Sequence, residues 1–395
     1  MNKDWKSTTR LVLGPVATGS SYYPRQDIIE NIWVKIESNA HVLIAAPRRV
    51  GKTSVMKAML LEERDGFSIA FESIQNIKSE KEFYKRIYDL IFGSLSKKEK
   101  LQEWLKNLSK TISIKGIDVK GKVELEKVEI DYLSAITSIA EKIAEHNETV
   151  VLLIDELPEV LFTLYKAGQV EEAKSILKTL RVWRQEDAFK KLKFVFAGSV
   201  GIHFVVKHIE DRTSDLNDLA KVNYEPLSKV EAKNYIDWAT ENATIQYDET
   251  LKEIILEKIN YYVPYFINLL LDRIDKQARA KENPHIRSAD IDFAFDFVVK
   301  DTEYFKDWFN RLNDYLPATD FDFVNEVLIH TAHKNTISIQ EIYDKAVKHK
   351  KTTEYMLLIN ELENDGYIVE NKNGYVFISP FLQAFWKKIN PIYND

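Results

Sequence analysis

The sequence contains no cysteine among its 395 residues, so disulfides, thiolate metal sites and a cysteine nucleophile are excluded. Long apolar runs are also missing, because stretches such as "VVLLI" and "FINLLL" fall far short of the roughly 20 residues that span a bilayer. An excess of basic residues is absent as well: the net charge is -6, which gives no overall basic field to attract nucleic acid or an anionic membrane. These absences predict a cytoplasmic protein that makes no membrane contact.

What is present is an ordinary globular composition, 45% hydrophobic and 29% charged, over a length that predicts two or three domains. Strand-like and helix-like segments alternate between residues 23 and 227, which favours crossover connections and a parallel sheet with ligands at the carboxyl ends of the strands. One segment departs from this pattern, since "TISIKGIDVKGKVELEKVEI" (111–130) alternates apolar and polar residues as in an exposed hairpin. The predicted strands are 41–46, 67–74, 149–156 and 192–199.

The second half of the chain has a different organisation. Four stretches with helical spacing lie between residues 228 and 300, and "NDYLPATDFD" (313–322) is typical of a linker. Three further helices, near 321–331, 339–349 and 353–365, precede two β-rich runs around Asn373-Gly374, which together predict a winged helix. The predicted divisions are an amino-terminal extension (1–22), an α/β core (23–227), a helical lid (228–300), a junction (301–318) and a winged-helix domain (319–395).

The segment "APRRVGKTS" (46–54) has the spacing of a phosphate-binding loop, with a small residue, four residues, then Gly-Lys-Thr between a strand and a helix. Gly51 allows backbone N–H groups to face phosphate oxygens at a helix N-terminus, where the helix dipole favours an anion. Lys52 would reach the β- and γ-phosphates, and the Thr53 hydroxyl would bind Mg²⁺. Arg48 and Arg49 could contact phosphate, a partner or a nearby carboxylate. The predicted nucleotide-binding residues of this loop are Ala46, Pro47, Arg48, Arg49, Val50, Gly51, Lys52, Thr53 and Ser54.

An acidic pair ends another predicted core strand. In "TVVLLIDELPEV" five apolar residues lead to Asp155, which could join the magnesium shell, and to Glu156, which could orient and polarise an attacking water. Taken alone, the pair could equally be two solvated carboxylates at a strand end. Because a phosphate loop lies upstream, the sequence predicts a site that hydrolyses nucleotide as well as binding it.

Further catalytic candidates lie near the ends of the later strands. Ser199 could place its hydroxyl between the γ-phosphate and the water, or it could cap the following helix. Transition-state charge in phosphoryl transfer also favours an arginine from the same chain or a neighbour. Arg181, Arg184 and Arg212 are the candidates, with Arg212 the one chosen here, and each could also be an ordinary surface arginine.

The order of these parts resembles that of the archaeal-type ATPases of the AAA+/STAND group of P-loop NTPases, relatives of the origin-recognition ATPases. The resemblance covers about residues 20 to 385 and includes "YYPRQDIIENI" (22–32), "APRRVGKTS", "VVLLIDELPEV", "FVFAGSVGIH" and "LNDLAKVNYEPLSKVEA". It implies a P-loop NTPase (AAA+-like) parallel sheet core with a helical lid and a C-terminal winged helix, ATP and Mg²⁺ as cofactors, and Tyr23 and Arg25 in nucleotide binding. The sequence departs from the family pattern at Pro24, Gln26, Ala46 and the residue before Pro264.

The predicted third helix of the winged-helix domain is the segment that such domains normally offer to the DNA major groove. Lys350, Lys351, Thr352 and Thr353 at its start are suited to phosphates or base edges, whereas its end is acidic. Contact with duplex DNA is one reading, and a winged helix that binds protein or inhibits its own chain is the other.

Three functions remain open from the sequence. The first is an ATP-driven molecular switch that controls a protein partner or self-assembly through its lid and winged helix. The second is a DNA-binding ATPase of the origin-recognition or transposition-regulator type, and the third is a nucleotide-binding structural subunit of a defence complex with negligible turnover. Adenine is expected from the resemblance, and no guanine-reading Asn-Lys-x-Asp motif is present.

Overall fold

The structure is a computed structural model that describes residues 5–95, 130–145, 148–198, 201–210 and 214–393. The hairpin predicted at 111–130 falls, except for its last residue, outside the described residues. The chain forms two compact units. The sheet unit comprises Arg25–Ala45 and Val55–Asn223, and the lid-and-wing unit comprises Met1–Pro24, Ala46–Ser54 and Tyr224–Asp395.

The sheet unit is built on five parallel strands in the order β2-β3-β4-β1-β5. The central strands are almost wholly apolar, and every residue from Val150 to Ile154 is fully buried, as expected for a parallel sheet that is covered on both faces. Because all the strands run the same way, their carboxyl ends share one edge of the sheet. The strands are β1 (His41–Ala45), β2 (Phe67–Ser73), β3 (Thr149–Asp155), β4 (Leu192–Ala197) and β5 (Leu219–Asn223).

Helices with one apolar face connect these strands. In α3 the residues Phe83, Ile87 and Ile91 lie on one side of the helix and are fully buried. The first turn of α2 belongs to the lid-and-wing unit, and the rest of that helix belongs to the sheet unit. The helices are α1 (Gln26–Glu37), α2 (Lys52–Met59), α3 (Glu80–Leu95), α4 (Tyr132–Ala144), α5 (Leu157–Lys166), α6 (Val170–Gln185) and α7 (Ile202–Glu210).

Four helices make up the lid, as predicted. Ser228 and Glu231 form a capping box at the start of the first, Asp248 caps the second, and Pro264 occupies the first position of the third. The lid helices are α8 (Lys229–Thr240), α9 (Glu249–Ile259), α10 (Pro264–Ala280) and α11 (Ser288–Lys300).

The prediction of a linker at 313–322 is wrong, because most of this segment is helical. Residues up to Tyr315 belong to a helix of the junction, and the first winged-helix helix begins at Ala318, so only Leu316 and Pro317 separate the two. The proline ends one helix and precedes the next, and it misled the sequence interpretation into a longer break. The helices are α12 (Lys306–Tyr315) and α13 (Ala318–Lys334).

The winged-helix domain continues as predicted, with two more helices and an antiparallel pair. The pair turns at Lys372-Asn373, one residue before the predicted Asn373-Gly374, and the second strand starts at Gly374, which has φ 133° and at which a Cβ would lie 2.2 Å from the Ile337 carbonyl oxygen. Only glycine fits this close approach of backbone to backbone. The elements are α14 (Ile339–Lys348), α15 (Tyr355–Asn364), β6 (Ile368–Asn371), β7 (Gly374–Phe377) and α16 (Pro380–Ile389).

The lid, junction and winged-helix domain share an aromatic core. Phe305 and Trp308 of the junction are buried, and Phe305 stacks on Phe381 of the winged-helix domain. Phe266 of the lid stacks on both Trp308 and Phe381. The chain therefore has a parallel α/β core, a helical lid and a C-terminal winged helix. In the described residues no helix has the length and apolar character needed to cross a membrane.

Candidate functional site

The phosphate loop occupies the connection between the end of β1 and the start of α2, where the sequence predicts it. Gly51 has φ 109°, a backbone conformation that disfavours residues with a Cβ. A Cβ at this position would also lie 3.0 Å from the Tyr224 hydroxyl oxygen, which is tighter than an ordinary contact. Gly51 is therefore required both for the turn of the loop and for the space beside Tyr224.

Lys52 begins α2, and its side chain folds back over the loop. Its Nζ donates hydrogen bonds to the carbonyl oxygens of Ala46 and Pro47, each at 2.7 Å, and the residue is 6% exposed. An ammonium group and the N-terminus of α2 thus lie within one short loop, and both favour an anion. Backbone amides, an ammonium and the Thr53 hydroxyl form a donor set that fits a nucleotide triphosphate with its Mg²⁺.

The two arginines of the loop contact groups in the lid and the junction. Arg48 Nη2 lies 3.2 Å and Arg49 Nη2 lies 3.5 Å from Oδ2 of Asp307 in α12. The Arg49 guanidinium also lies over the ring of Tyr265 in α10, 5.0 Å from its centre. Of the three partners that the sequence left open for these arginines, the structure contains the nearby carboxylate.

The acidic pair lies at the carboxyl edge of the sheet. Asp155 is the last residue of β3, is 2% exposed and is level with Ala197 of β4, which is bonded in turn to β1. Glu156 has φ 66°, and its N–H donates to the Ala197 carbonyl oxygen at 2.8 Å. This left-handed turn changes the chain direction directly after Asp155, so that Glu156 leads into α5.

Gly198 keeps the turn at the end of β4 close to the turn after β3. A Cβ at Gly198 would lie 2.4 Å from Cδ of Pro158 in the first turn of α5. The two strand ends are therefore in direct contact beside the acidic pair. No residue larger than glycine fits without moving Pro158 or the strand end.

Metal binding at this edge depends on ligands beyond the acidic pair. In the described part of the chain, no cluster of three or more His, Cys, Asp or Glu side chains could bind a metal ion alone. Mg²⁺ commonly takes only one or two carboxylates and completes its shell with phosphate oxygens and waters. Asp155 offers one carboxylate of that kind.

Two of the three candidate finger arginines are held by acids of their own unit. Arg181 Nη1 lies 2.6 Å from Asp215 Oδ1, and Arg184 forms two hydrogen bonds with Asp218 at 2.6 and 2.9 Å. The Arg184 side chain is 2% exposed, so it is a structural residue of the sheet unit. Arg212 and Ser199 lie outside the described residues.

Tyr23 and Arg25, which the resemblance implies in nucleotide binding, lie in ordered surroundings. Tyr23 packs edge-on against Tyr235 and Trp238 of α8. Arg25 is buried and donates from Nε and Nη2 to the two carboxylate oxygens of Asp27, at 3.2 and 3.0 Å. Partial burial would raise the pKa of Asp27, but the hydrogen bonds and charge of Arg25 lower it overall. Asp27 is therefore the charged partner of the buried Arg25 guanidinium.

The candidate DNA contacts differ in their exposure. The third helix begins at Tyr355, so Lys350 to Thr353 lie in the turn before it and not on the helix as predicted. Lys351 is mostly buried and forms ion pairs with Asp320 and Glu354, which neutralise its charge. Lys350, Thr352 and Thr353 are exposed.

The basic residues at the end of α14 also form ion pairs, with Glu326 of α13. Burial would raise the pKa of Glu326, but hydrogen bonds from His349 and Lys348 and the charge of Lys345 outweigh it and hold the pKa at about 2. Glu326 therefore stays ionised and ties Lys345 and Lys348 to α13.

Sequence reasoning missed the distant residues that contact the phosphate loop, among them Asp307, Tyr265 and Gly366. A Cβ on Gly366 would lie 2.6 Å from Cβ of Pro47, so the loop also touches the winged-helix domain. These residues are more than 200 positions from the loop, and no local pattern in the sequence marks them. The positive φ of Gly366, 77°, has an ordinary local explanation at the end of α15.

Comparisons with known proteins agree with this arrangement. Residues 21–209 match the family model described as "AAA-ATPase_like: Predicted AAA-ATPase". No curated protein matches the chain. The fold is similar to that of the Walker-type ATPase of Pyrococcus abyssi, at 15% identity and a TM-score of 0.62, over 96% of this chain and 100% of that one. It is also similar to the ORC2 protein of Aeropyrum pernix in its ADPNP–ADP complexes, at 11% identity and a TM-score of 0.52, over 98% of each chain.

The family model and the two solved structures cover different parts of the chain. The matched region contains the phosphate loop, the acidic pair and four of the five strands. At 11% and 15% identity the two solved structures establish the fold alone, and they do so along nearly the whole chain. Residues 21–209 therefore match a predicted AAA-ATPase family model, and the chain has the fold of these ATPases: an AAA+-like parallel-sheet core, a helical lid and a C-terminal winged helix.

Proposed function

We propose that the protein binds ATP with Mg²⁺, hydrolyses it slowly, and acts as a molecular switch that controls a protein partner or its own assembly. One observation carries the switch: residues of the phosphate loop contact the lid at Tyr265, the junction at Asp307 and the winged-helix domain at Gly366. A ligand in this loop would change contacts with all three. The ADPNP–ADP complexes of the Aeropyrum pernix structure support the choice of nucleotide.

The residues of the site suggest a division of work. The loop amides and Lys52 would hold the phosphates, and Thr53 with Asp155 would provide protein ligands for Mg²⁺. Glu156 would orient and polarise a water for attack, with Ser199 and Arg212 as the further candidates for positioning and charge stabilisation. Bound ATP with Mg²⁺ supplies the phosphoryl group that is transferred to that water.

Two variants separate binding from hydrolysis. Lys52→Ala should lose ATP binding, because it removes the ammonium from the loop, whereas Glu156→Gln should bind ATP normally and release phosphate at least about 100-fold more slowly. Labelled-ATP binding and a phosphate-release assay measure the two quantities. Equal ATP binding by Lys52→Ala and wild type would contradict the proposal. Phosphate release by wild type at the Lys52→Ala level would favour the structural-subunit alternative.

Duplex DNA binding is a second candidate, favoured by the joint exposure of Lys350, Thr352 and Thr353 in the turn before α15. Phosphate contacts release counterions, so such binding should weaken steeply with salt. The measurement is retardation of a duplex at low and moderate salt, comparing wild type with Lys350→Ala. If no duplex is retarded at low salt, the DNA alternative is wrong.

A further inference from the structure

The contacts of Arg48 and Arg49 converge on one carboxylate. Both guanidinium groups lie within 3.5 Å of Oδ2 of Asp307. These three residues are called the clasp below. Arg49 is further fixed by the Tyr265 ring beneath it and by a long hydrogen bond, 3.4 Å, to the Gly14 carbonyl oxygen. The clasp thus joins the nucleotide loop to α12.

Asp307 is rigidly placed, although its own side chain is about half exposed. The next residue, Trp308, is buried in the aromatic core, and its carbonyl oxygen accepts a hydrogen bond from Tyr367 Oη at 2.8 Å. Tyr367 follows Gly366, whose Cα approaches Pro47 so closely that a Cβ would clash. The clasp is therefore backed by a packed connection that runs from the loop to the winged-helix domain.

The charges make the clasp open to competition. The loop carries three cations, Arg48, Arg49 and Lys52, and Asp307 supplies a single negative charge that is half in water. Ion pairs in such surroundings are weak. A triphosphate brings several charges to the same loop, and guanidinium groups form stronger, forked hydrogen bonds with phosphate.

We propose that Asp307 competes with ATP for Arg48 and Arg49, so that the clasp holds α12 against the loop in the nucleotide-free protein and opens when ATP binds. This inference rests on the proposed ATP binding. It identifies Asp307 as the residue through which nucleotide binding affects the winged-helix domain. Coupling between sites is reciprocal, so whatever stability the clasp gives to the closed arrangement lowers ATP affinity by the same factor.

The test uses the full-length protein and ATP with Mg²⁺. Asp307→Asn removes the competing charge and should bind ATP about three- to tenfold more tightly than wild type, the range expected for two partly exposed ion pairs. Asp314→Asn is the matched control, since it removes an exposed carboxylate from the same helix, and it should bind as wild type does. Asp307→Glu keeps both the carboxylate and the acidic first turn of α12, and it should return the affinity toward wild type.

Amide hydrogen exchange tests the opening of the clasp separately, because a change in ATP affinity alone would not alter exchange in α12. ATP should increase amide exchange across 306–315 in wild type, whereas Asp307→Asn should exchange faster there without nucleotide and change little when ATP is added. Equal or weaker ATP binding by Asp307→Asn, or no ATP effect on 306–315 in wild type, would overturn the clasp while leaving the ATPase proposal intact. Failure of wild type and Asp307→Asn alike to bind ATP would overturn both proposals.

Discussion

At the scale of single residues, two backbone conformations within the predicted nucleotide motifs are unusual. Arg49 and Glu156 adopt left-handed conformations, which cost a residue with a Cβ roughly 1–2 kcal/mol. Five other non-glycine residues in the described part of the chain have a positive φ, but each follows the end of a helix, where this conformation is common: Asn39, Asn260, Glu282, Asn335 and Lys350. Strained backbone is retained where the surrounding structure fixes it, often at functional sites. Both strained residues lie in motifs that the sequence marks for nucleotide chemistry.

The contact between Gly198 and Pro158 gives a prediction about the sheet edge. In Gly198→Ala the new methyl group would meet Cδ of Pro158 at 2.4 Å, so one of the two strand ends must move. We expect the free energy of unfolding to fall by about 1–3 kcal/mol, the usual cost of overpacking. Urea unfolding followed by circular dichroism measures the change.

Gly14→Ala is the matched control for that prediction. Nothing lies within 4 Å of a Cβ built on Gly14, so this variant should unfold as wild type does. If Gly198→Ala is as stable as wild type, the close approach of the two strand ends is wrong.

At the scale of elements, hydrophobic patterning predicted most of the fold. The four predicted strands and the four lid helices are present, because their apolar runs and helical spacing are local properties of the sequence. Helices α1, α5, α7, α12 and α16 and strand β5 were not predicted. Helix α5 begins one residue after β3 ends, and its sequence "LPEVLFTLYK" is apolar enough to read as a continuation of the strand. The short β5, "LAKVN", is defined by its pairing with β1, which is distant in sequence.

The candidate site divides in the same way. The phosphate-loop residues and the acidic pair could be predicted because each motif is contiguous and its spacing follows from phosphate and metal chemistry. The partners of Arg48 and Arg49 could not, since Asp307 and Tyr265 reach the loop only through the packing of the lid and junction. Likewise, the pairing of Lys351 with Asp320 depends on the arrangement of α13 against the turn before α15.

The start of β1 carries a histidine that should make stability depend on pH. Burial, followed by the charges of Lys193 and Arg184, lowers the pKa of His41 from 6.5 to about 3. Its Nδ1 accepts a hydrogen bond from the Phe194 N–H at 3.1 Å, which requires the unprotonated nitrogen. The unfolded chain takes up a proton near pH 6.5 and the folded protein does not, so stability falls as pH decreases from 6.5 toward 3.

His41→Gln tests this dependence, because its side-chain oxygen can still accept the Phe194 hydrogen bond but does not titrate. The free energy of unfolding is measured by urea titration from pH 7 to pH 5, above the range in which most carboxylates titrate. It should fall less steeply with decreasing pH in the variant than in wild type, by at most about 1 kcal/mol per pH unit. Equal slopes in the two proteins would show that His41 does not contribute. A lower midpoint of the variant at pH 7 reflects packing and leaves the slope comparison valid.

At the scale of the whole lid-and-wing unit, stacked aromatic rings cross the boundaries between its parts. Phe381 of α16 is fully buried and stacks on Phe266 of the lid at 5.7 Å and on Phe305 of the junction at 5.9 Å. Parts that share one packed core resist moving separately, because interiors are dense and transmit strain. A change at the clasp would therefore move the lid and the winged-helix domain together.

Phe381→Ala tests this coupling. Removal of the ring should lower the free energy of unfolding by about 3–5 kcal/mol, the usual cost for a buried phenylalanine. Because the cavity opens onto the lid, amide exchange should rise in α10 of the lid as well as in α16, which hydrogen exchange with mass spectrometry measures. Phe293→Ala on the exposed face of α11 is the matched control and should change neither. Faster exchange confined to the winged-helix domain would mean that the wing loosens by itself, and the lid would then need its own route for sensing nucleotide.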